Sequence, residues 1–423
     1  MLSRAIRNQS LVAAARQFST WSAVTAAPAD PILGLNEAFK KETNPKKQLL
    51  GMGVYRCDKG KPFILECVRK AEQRIMELNM DHEYAPIQGI DSYVAKCLTL
   101  AYGSDNKAVK EGRVAAAQGI SGTGSLRVGL QLLSNWYPHK DVDVLVPNPT
   151  WPLHRGLVEV TGKKWQHYRY YDPKTKGLDF KGFCEDLKNA KNNSIILLHV
   201  CAHNPTGVDP TPAQWQTILD IVKSKNHYCA FDSAYQGFAS GDLEKDAYAL
   251  RLFAQHTDNI MLCQSFAKNF GLYGERAGCV SFITANPAEK EVVMSQVKVL
   301  ARALYSNPPV HGARIIDIIL GDKQLTQMWH DDLKMMSGRM QQMRVGLHKN
   351  LKDLGSEHNW DHVINQIGMF AFTGLNPDMV KELREKYAIY MTGDGRISIA
   401  GLNTGNLGYI SEAFHAVTKG KPF

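Results

Sequence analysis

Short apolar runs recur through the first two thirds of the chain, and each stops at a glycine, a proline or a polar residue. Val114–Ala117, Asp143–Val146, Ser194–His199, Tyr228–Asp232, Ile260–Cys263 and Ala277–Phe282 are nearly free of polar side chains between their ends. Runs of this kind read as strands buried on both faces, because a half-exposed strand would alternate polar and apolar residues. Stretches with helical spacing lie between them. Pro62–Met80 and Gln214–Lys223 are amphipathic, and Ser125–Tyr137 places Leu126, Val128, Leu130 and Leu133 inward. Strands alternating with helices predict a mostly parallel sheet covered by helices on both faces, hence an α/β fold.

The pattern changes after Glu289. A long helix carries Arg302 and leads to Tyr305-Ser306-Asn307-Pro308-Pro309, and a second helical stretch runs from about Lys323 to Leu354. Mixed segments follow: Phe370–Thr373, Met379–Tyr387, Ile389–Met391 and Asp394–Ile399. At the other end, Ala29–Gly34 reads as an extended arm and Lys40–Lys47 as a polar linker. The predicted organisation is an arm and part of a small domain over 29–61, a large domain over 62–322, and a smaller α+β domain over 323–423.

Composition adds limits. The chain has 423 residues, 44% hydrophobic and 22% charged, which is ordinary for a globular protein. No apolar run is long enough for a membrane helix. The eight cysteines form no Cys-x-x-Cys pair, so neither a zinc site nor a disulfide framework is expected. The net charge is +9, but residues 1–18 hold Arg4, Arg7 and Arg16 and no acidic residue. That basic, serine- and alanine-rich start has the composition of a mitochondrial transit peptide. Arg16-Gln-Phe18-Ser19 fits cutting after Phe18. The remaining charge, about +6 once three arginines leave +9, shows no basic-aromatic cluster. It suits acidic small molecules better than nucleic acid.

The chemistry concentrates at strand ends. Ser121, Trp151, Asn204, Asp232, Ser265 and Lys268 each lie at or just past the end of a predicted strand, where open α/β sheets hold ligands. Ser121-Gly122-Thr123-Gly124 is a glycine-rich turn before a helix, a setting that favours an anion, although no Gly-Lys-Ser/Thr follows to make a P-loop. Lys268 offers an amine that can condense with an aldehyde cofactor. Ser265 and Arg276 flank it with groups able to hold a phosphate. Taken singly, a lysine is commonly a solvated surface group. Ser265-Phe-Ala-Lys268 also fits the Ser-x-x-Lys pattern of penicillin-recognising acyl enzymes. There, however, Ser104-Asp105-Asn106 would have to lie downstream of Ser265, and the chain has no Lys-Thr-Gly.

Taken together these residues form a recognisable set. Ser-Gly-Thr-Gly at 121–124, His-Asn-Pro-Thr-Gly-Val-Asp-Pro at 203–210, Phe-Asp-Ser-Ala-Tyr-Gln-Gly-Phe-Ala-Ser-Gly at 231–241, Ser-Phe-Ala-Lys-Asn-Phe-Gly-Leu-Tyr-Gly-Glu-Arg at 265–276, Tyr-Ser-Asn-Pro-Pro at 305–309 and Asp-Gly-Arg-Ile-Ser at 394–398 resemble the aspartate aminotransferases, in particular their mitochondrial members. The resemblance covers residues 29–423. It implies the fold-type I architecture, pyridoxal 5′-phosphate as cofactor and no metal.

By this resemblance Lys268 would bond to the cofactor and shuttle the proton, and Asp232 would pair with its pyridine nitrogen, supported by His154. Tyr235 and Asn204 would bond its phenolate oxygen, and Trp151 would stack on its ring. Ser121, Gly122, Thr123, Ser265 and Arg276 would hold its phosphate, with Tyr84 reaching in from a second subunit. Gly53, Trp151, Asn204 and Arg396 would contact substrate, Arg396 clamping the α-carboxylate. Arg302 of a neighbouring subunit would clamp the side-chain carboxylate. The implied protein is a homodimeric enzyme of the mitochondrial matrix. It would exchange amino groups between aspartate and 2-oxoglutarate, giving oxaloacetate and glutamate. An aromatic or kynurenine aminotransferase on the same fold is the alternative. Met52, Leu153, Cys57, Gln88 and the alanines 301 and 303 depart from the usual family pattern, and none removes a catalytic group.

Overall fold

The structure is a computed structural model that describes Trp21, residues 23–27 and residues 33–422. The basic segment 1–18, with the cutting position after Phe18, lies outside the described residues, as do Ala29–Ile32. Leu33 and Gly34 begin a helix, Leu33–Lys41, where an extended arm was expected. With Phe39 packed edge-on to Tyr390, this segment is a docked element.

Seven strands make the central sheet: β1 Val114–Ile120, β2 Val144–Asn148, β3 Trp165–Arg169, β4 Ile195–His199, β5 Tyr228–Ser233, β6 Ile260–Ser265 and β7 Ala277–Ile283. Their spatial order is β1-β7-β6-β5-β4-β2-β3. From β6 to β3 every neighbouring pair is parallel. β7 is antiparallel to both β1 and β6. The sequence pattern alone gives no reason to reverse β7. The reversal follows from the connection: residues 266–276 contain no helix, so the chain turns straight back instead of crossing over.

The near-continuous apolar strands are explained by cover on both sides. In β4, Ile195 and Leu197 join a core with Leu126 and Leu130 of the helix Ser121–Trp136 and Val297 of the helix Pro287–Tyr305. Ile196 and Leu198 point the other way, into a core with Trp215 and Ile218 of the helix Pro212–Lys225 and Phe253 of the helix Tyr248–His256. The helix Pro212–Lys225 shows how local chemistry sets its ends. Thr211 and Gln214 form a capping box, a proline occupies the first turn, and Asn226 closes it with φ 51°. The expected helix Pro62–Met80 shortens to Glu66–Glu77, since Pro62 is taken by a bridge to Arg56.

A third core joins the two ends of the chain. The helix Lys323–Asp353 buries Leu325, Trp329, Leu333, Met336, Met340, Met343, Leu347 and Leu351, a stripe of helical period. It packs against both the helix Glu66–Glu77 and the helix Leu407–Thr418. Gln48–Leu49 pairs in parallel with Ile389–Tyr390, and Phe370–Phe372 pairs antiparallel with Arg396–Ser398. The Trp329 indole stacks on Phe270 at 4.2 Å and donates to the Asn269 carbonyl, bracing the turn that carries Lys268. Among the described residues no helix is long and apolar enough to cross a membrane.

The tightest backbone approach ties β7 to the start of the helix Ser121–Trp136. A Cβ on Gly278 would lie 2.5 Å from the Gln264 carbonyl oxygen and 2.7 Å from the Ser121 carbonyl carbon. Both obstacles are main chain, so neither can swing aside. Gly278→Ala should therefore lower stability by about 1–3 kcal/mol, the usual penalty of overpacking, read as a lower denaturant midpoint. An unchanged midpoint would mean that this contact is looser than described.

Candidate active site

The parallel strands all deliver their carboxyl ends to one edge of the sheet. Register sets the positions: His199 lies beside Asp232, Asp232 beside Cys263, and Gly278 beside Ser265. A cleft of about 210 Å³ opens at this edge. It is lined by Gly53, Ser121, Gly122, Thr123, Trp151, Asn204, Asp232, Tyr235, Ser265, Lys268, Arg276 and Arg396, all singled out from the sequence, together with His199, Ala234 and Phe370.

The innermost hydrogen-bonded pair is Asp232 and His154. His154 Nε2 lies 3.0 Å from Asp232 Oδ2, and His154 Nδ1 lies 2.8 Å from Thr150 Oγ1. His154 is fully buried behind the cleft, with the Trp151 indole edge-on at 5.2 Å. Burial pushes the Asp232 carboxyl up. The hydrogen bond and charge of His154, with the charges of His199 and Lys268, more than offset that and leave its pKa below the ordinary value. The cleft thus holds a fixed anion at its base. His154, His199 and Asp232 also offer ligand atoms within 4.8 Å of one another. Both nitrogens of His154 are already engaged, which favours an orienting pair over metal ligation.

Lys268 sits half-buried in the turn after β6, its Nζ 5.4 Å from the centre of the Tyr235 ring. Burial lowers its pKa. Asp232 opposes the shift, and the Arg276 and Arg396 charges reinforce it. A lysine held this way has more of the neutral amine needed for attack on a carbonyl. Tyr235 is buried, and its phenol is raised above the ordinary value by burial.

The anion cradle differs in form from the expected turn before a helix. Ser121 takes φ 55° and donates its N–H to the Arg276 carbonyl at 3.0 Å, so the helix Ser121–Trp136 begins at once. Gly122 and Thr123 then fall in its first turn, where main-chain N–H groups lack helical partners. Ser121 Oγ and Ser265 Oγ are 2.9 Å apart, and Arg276 is oriented by donating to the Tyr273 carbonyl at 3.1 Å. Hydroxyls, free N–H groups and a guanidinium at a helix start suit a phosphate.

Arg396 closes the other side. It is 4% exposed, donates to Asn204 Oδ1 at 3.2 Å and to the Gly51 carbonyl at 3.0 Å, and lies 4.2 Å over the Phe370 ring. Its Nε is buried without a partner. Burial lowers its pKa, against the charges of Asp394 and Tyr235. Gly53 lets the Phe370 ring approach, since a Cβ there would stand 2.9 Å from that ring.

Two expected residues lie elsewhere in this chain. Tyr84 is 79% exposed, and Arg302 is exposed, held by the Ser306 hydroxyl and by Asn307 Oδ1 at 3.3 Å. Asn307 also donates to the Ala85 carbonyl at 2.8 Å, so Tyr84 and Arg302 share one surface region. Neither lines the cleft of its own chain. Of the departures from family pattern, Leu153 points to solvent at 40% exposure, and Cys57 is half-buried at a turn. Three residues of the site carry little signal in the sequence: Thr150, His199 and Phe370. His199 ends a strand as Asp232 does, and that was its one available clue.

A cleft with a half-buried lysine, a histidine-locked carboxylate and a cradle suited to an anion at strand ends defines a cofactor-dependent α/β enzyme. The family profile described as "Aminotransferase class I and II" matches residues 45–414, and the chain belongs to that family. It is 50% identical over 407 residues to the mitochondrial aspartate aminotransferase of Gallus gallus, covering 96% of each chain. It is 50% identical over 404 residues to that of Schizosaccharomyces pombe, covering 95% of this chain and 92% of the other. Among solved structures, the aromatic-amino-acid aminotransferase of Burkholderia pseudomallei, covalently bound to pyridoxal phosphate, superposes with TM-score 0.92 at 42% identity, covering 95% of this chain and all of the other.

Burial also predicts a pH response. His199, with both nitrogens unpartnered, is lowered to about 3 by burial and by the His154 charge, Asp232 opposing; His203, stacked on Tyr170 at 3.9 Å, is likewise held well below its ordinary value. In the unfolded chain such groups bind protons near pH 6.5, whereas the folded chain keeps them neutral. Their contribution is therefore complete above about pH 7 and is lost as pH falls from about 6.5 toward 3. At pH 5 His199 should cost about 2 kcal/mol of unfolding free energy relative to pH 7.5, and His203 should add to the loss in the same direction. Urea unfolding at the two pH values should show the loss, and His199→Gln should reduce it. An unaltered pH slope in that variant would contradict a neutral, buried His199.

Proposed function

We propose that the chain is an aspartate aminotransferase that uses pyridoxal 5′-phosphate to move an amino group reversibly between L-aspartate and 2-oxoglutarate. The observation that carries this is the meeting, in one cleft, of Lys268, an ionised Asp232 locked by His154, and an Arg396 whose buried Nε lacks a partner. The residues present fit the cofactor: an amine for its aldehyde, a fixed carboxylate for its ring nitrogen, and the Ser121–Thr123, Ser265 and Arg276 cradle for its phosphate.

When bound, pyridoxal phosphate supplies an aldehyde that takes the amine and a ring that accepts the electron pair of the α-carbon. Asp232, kept anionic by His154, would hold a proton on the ring nitrogen. Thr150 and the His154 ring fix the direction of that carboxylate. Tyr235 and Asn204 would supply hydrogen bonds to the phenolate oxygen, and Trp151 would offer a face to the ring. Lys268 would hold the cofactor through its amine and, when free, its Nζ would serve as the base that carries the substrate's α-proton. Arg396 takes the α-carboxylate through its vacant donors, beside the close-set Gly53 backbone.

Selectivity for dicarboxylates comes from Arg302. Its guanidinium is exposed next to Tyr84 and away from its own cleft, which supports a homodimer in which each chain completes the other's site. The exposed Val292, Val299 and Leu304 on the same helix offer apolar surface for that contact. A neutral substrate side chain would leave the guanidinium unpaired in the assembled site. The basic segment before Ser19 and the mitochondrial relatives support a place in the mitochondrial matrix. The similarity to an aromatic enzyme favours a second reading, side activity on aromatic amino acids, which rates on aspartate and phenylalanine would separate.

Lys268→Ala should retain pyridoxal phosphate and bind aspartate yet lose turnover by at least about a thousandfold, because the proton carrier is gone. The check is cofactor absorbance together with a coupled assay; substantial residual turnover would remove Lys268 from that role. Arg302→Asp should reduce kcat/KM for aspartate by about a hundredfold or more and improve cationic amino acids, since the clamp's charge is reversed. An unaltered preference would take Arg302 out of the site.

A further inference from the structure

Arg344, on the helix Lys323–Asp353, is an unusual core residue. It is 1% exposed, and the hydrogen bonds described for it all end on main-chain carbonyls: Val363 at 2.9 Å, Gly368 at 2.9 Å and Phe370 at 2.5 Å. A buried guanidinium without a carboxylate is a costly way to fill space, and an apolar side chain of similar length would fill it with less penalty. What the planar fork does, and an apolar chain does not, is hold several acceptors in fixed relative positions.

Those acceptors lead to the cleft. The Phe370 ring lies 4.2 Å beneath the Arg396 guanidinium, and Phe372 is the register partner of Arg396 across the small sheet. The opposite side of the same segment is held by Gly207. The Gly207 carbonyl accepts from the Ile367 N–H at 2.8 Å, and a Cβ on Gly207 (φ 65°) would meet the Ile367 and Phe370 carbonyl oxygens at 2.9 Å. Gly207 ends the loop that begins with Asn204, which receives Arg396 Nη1. Residues 366–370 are thus fixed between Arg344 and Gly207, and both of their outlets touch Arg396.

We propose that Arg344 is a positioning residue for the carboxylate clamp: by fixing the Val363, Gly368 and Phe370 carbonyls it seats the Phe370 ring under Arg396 and sets the direction in which that guanidinium points. The inference rests on the reading that Arg396 binds the α-carboxylate common to every substrate. It touches neither the proton transfer at Lys268 nor the phosphate cradle, so its signature is selective. Substrate binding should weaken while chemistry and cofactor retention persist.

The test uses full-length holoenzyme carrying Arg344→Gln, Arg344→Lys, Gly207→Ala or Arg396→Gln. With Arg344→Gln, KM for aspartate and for 2-oxoglutarate should rise together by about tenfold, with kcat within about twofold and unaltered cofactor absorbance. Arg344→Lys should recover part of the KM. Gly207→Ala, which displaces the same segment from its other side, should repeat the KM pattern and decides the matter if the Arg344 variants do not fold. If Arg396→Gln raises KM for both substrates but Arg344→Gln and Gly207→Ala do not, the positioning role is wrong and the clamp stands. If Arg396→Gln leaves both KM values unaltered, the clamp reading itself fails. A fall in kcat and cofactor retention in step with stability, at constant KM, would make Arg344 a purely structural residue.

Discussion

A carboxylate buried at the base of the cleft, Asp232, is the constraint on which the rest of the site depends. An ionised carboxylate in a protein interior is strongly disfavoured unless its charge is met. Here His154 Nε2 meets it from behind, Thr150 fixes His154, and Lys268 contributes charge from the open side. Thr150 and His154 follow β2, Asp232 lies near the end of β5 and Lys268 follows β6, so the pairing requires the sheet order and register to be correct. The negative charge proposed to face the cofactor nitrogen and the integrity of the fold are consequently one requirement.

The same economy of parts appears around the two basic groups. Trp329, from the helix Lys323–Asp353, braces the Lys268 turn through the Asn269 carbonyl, while Arg344 on that helix braces the segment beneath Arg396. One long helix thereby supports both the group proposed to move the proton and the group proposed to hold the carboxylate. Arg396 also donates to Gly51, so the N-terminal segment enters the site through a main-chain carbonyl. The two chain ends meet there through the pairing of Gln48–Leu49 with Ile389–Tyr390.

Membership of the aminotransferase family and close likeness to mitochondrial aspartate enzymes place the reaction class. The finer choice between acidic and aromatic side chains falls on a residue that one chain does not bring to its own cleft. Arg302 and Tyr84 share an exposed region tied together by Asn307, Ala85 and the turn at Ser306. In the proposed assembly, specificity is a property of the pair of chains, whereas the proton chemistry belongs to each chain alone.

Much was legible from residue order. The apolar runs located the strands because burial on both faces excludes polar residues from them, and helix ends such as Thr211–Gln214 follow local capping chemistry. Position at a predicted strand end marked Ser121, Trp151, Asn204, Asp232, Ser265 and Lys268, which needs no long-range knowledge, whereas Arg276 was marked by its nearness to Lys268 and Arg396 only by its family motif. Three things needed the tertiary structure. The reversal of β7 depends on how a helix-free connection packs. The immediate helix start at Ser121 depends on a hydrogen bond to the Arg276 carbonyl, a residue remote in sequence. The parts played by Thr150, His199, Phe370 and Arg344 depend on contacts made across the fold. The sequence by itself determined which chemical groups are present and which segments must be buried, because side-chain chemistry and hydrophobic period are local. Only the folded chain decided which groups share a cavity, because burial, pKa and aim are set by neighbours brought together from distant positions.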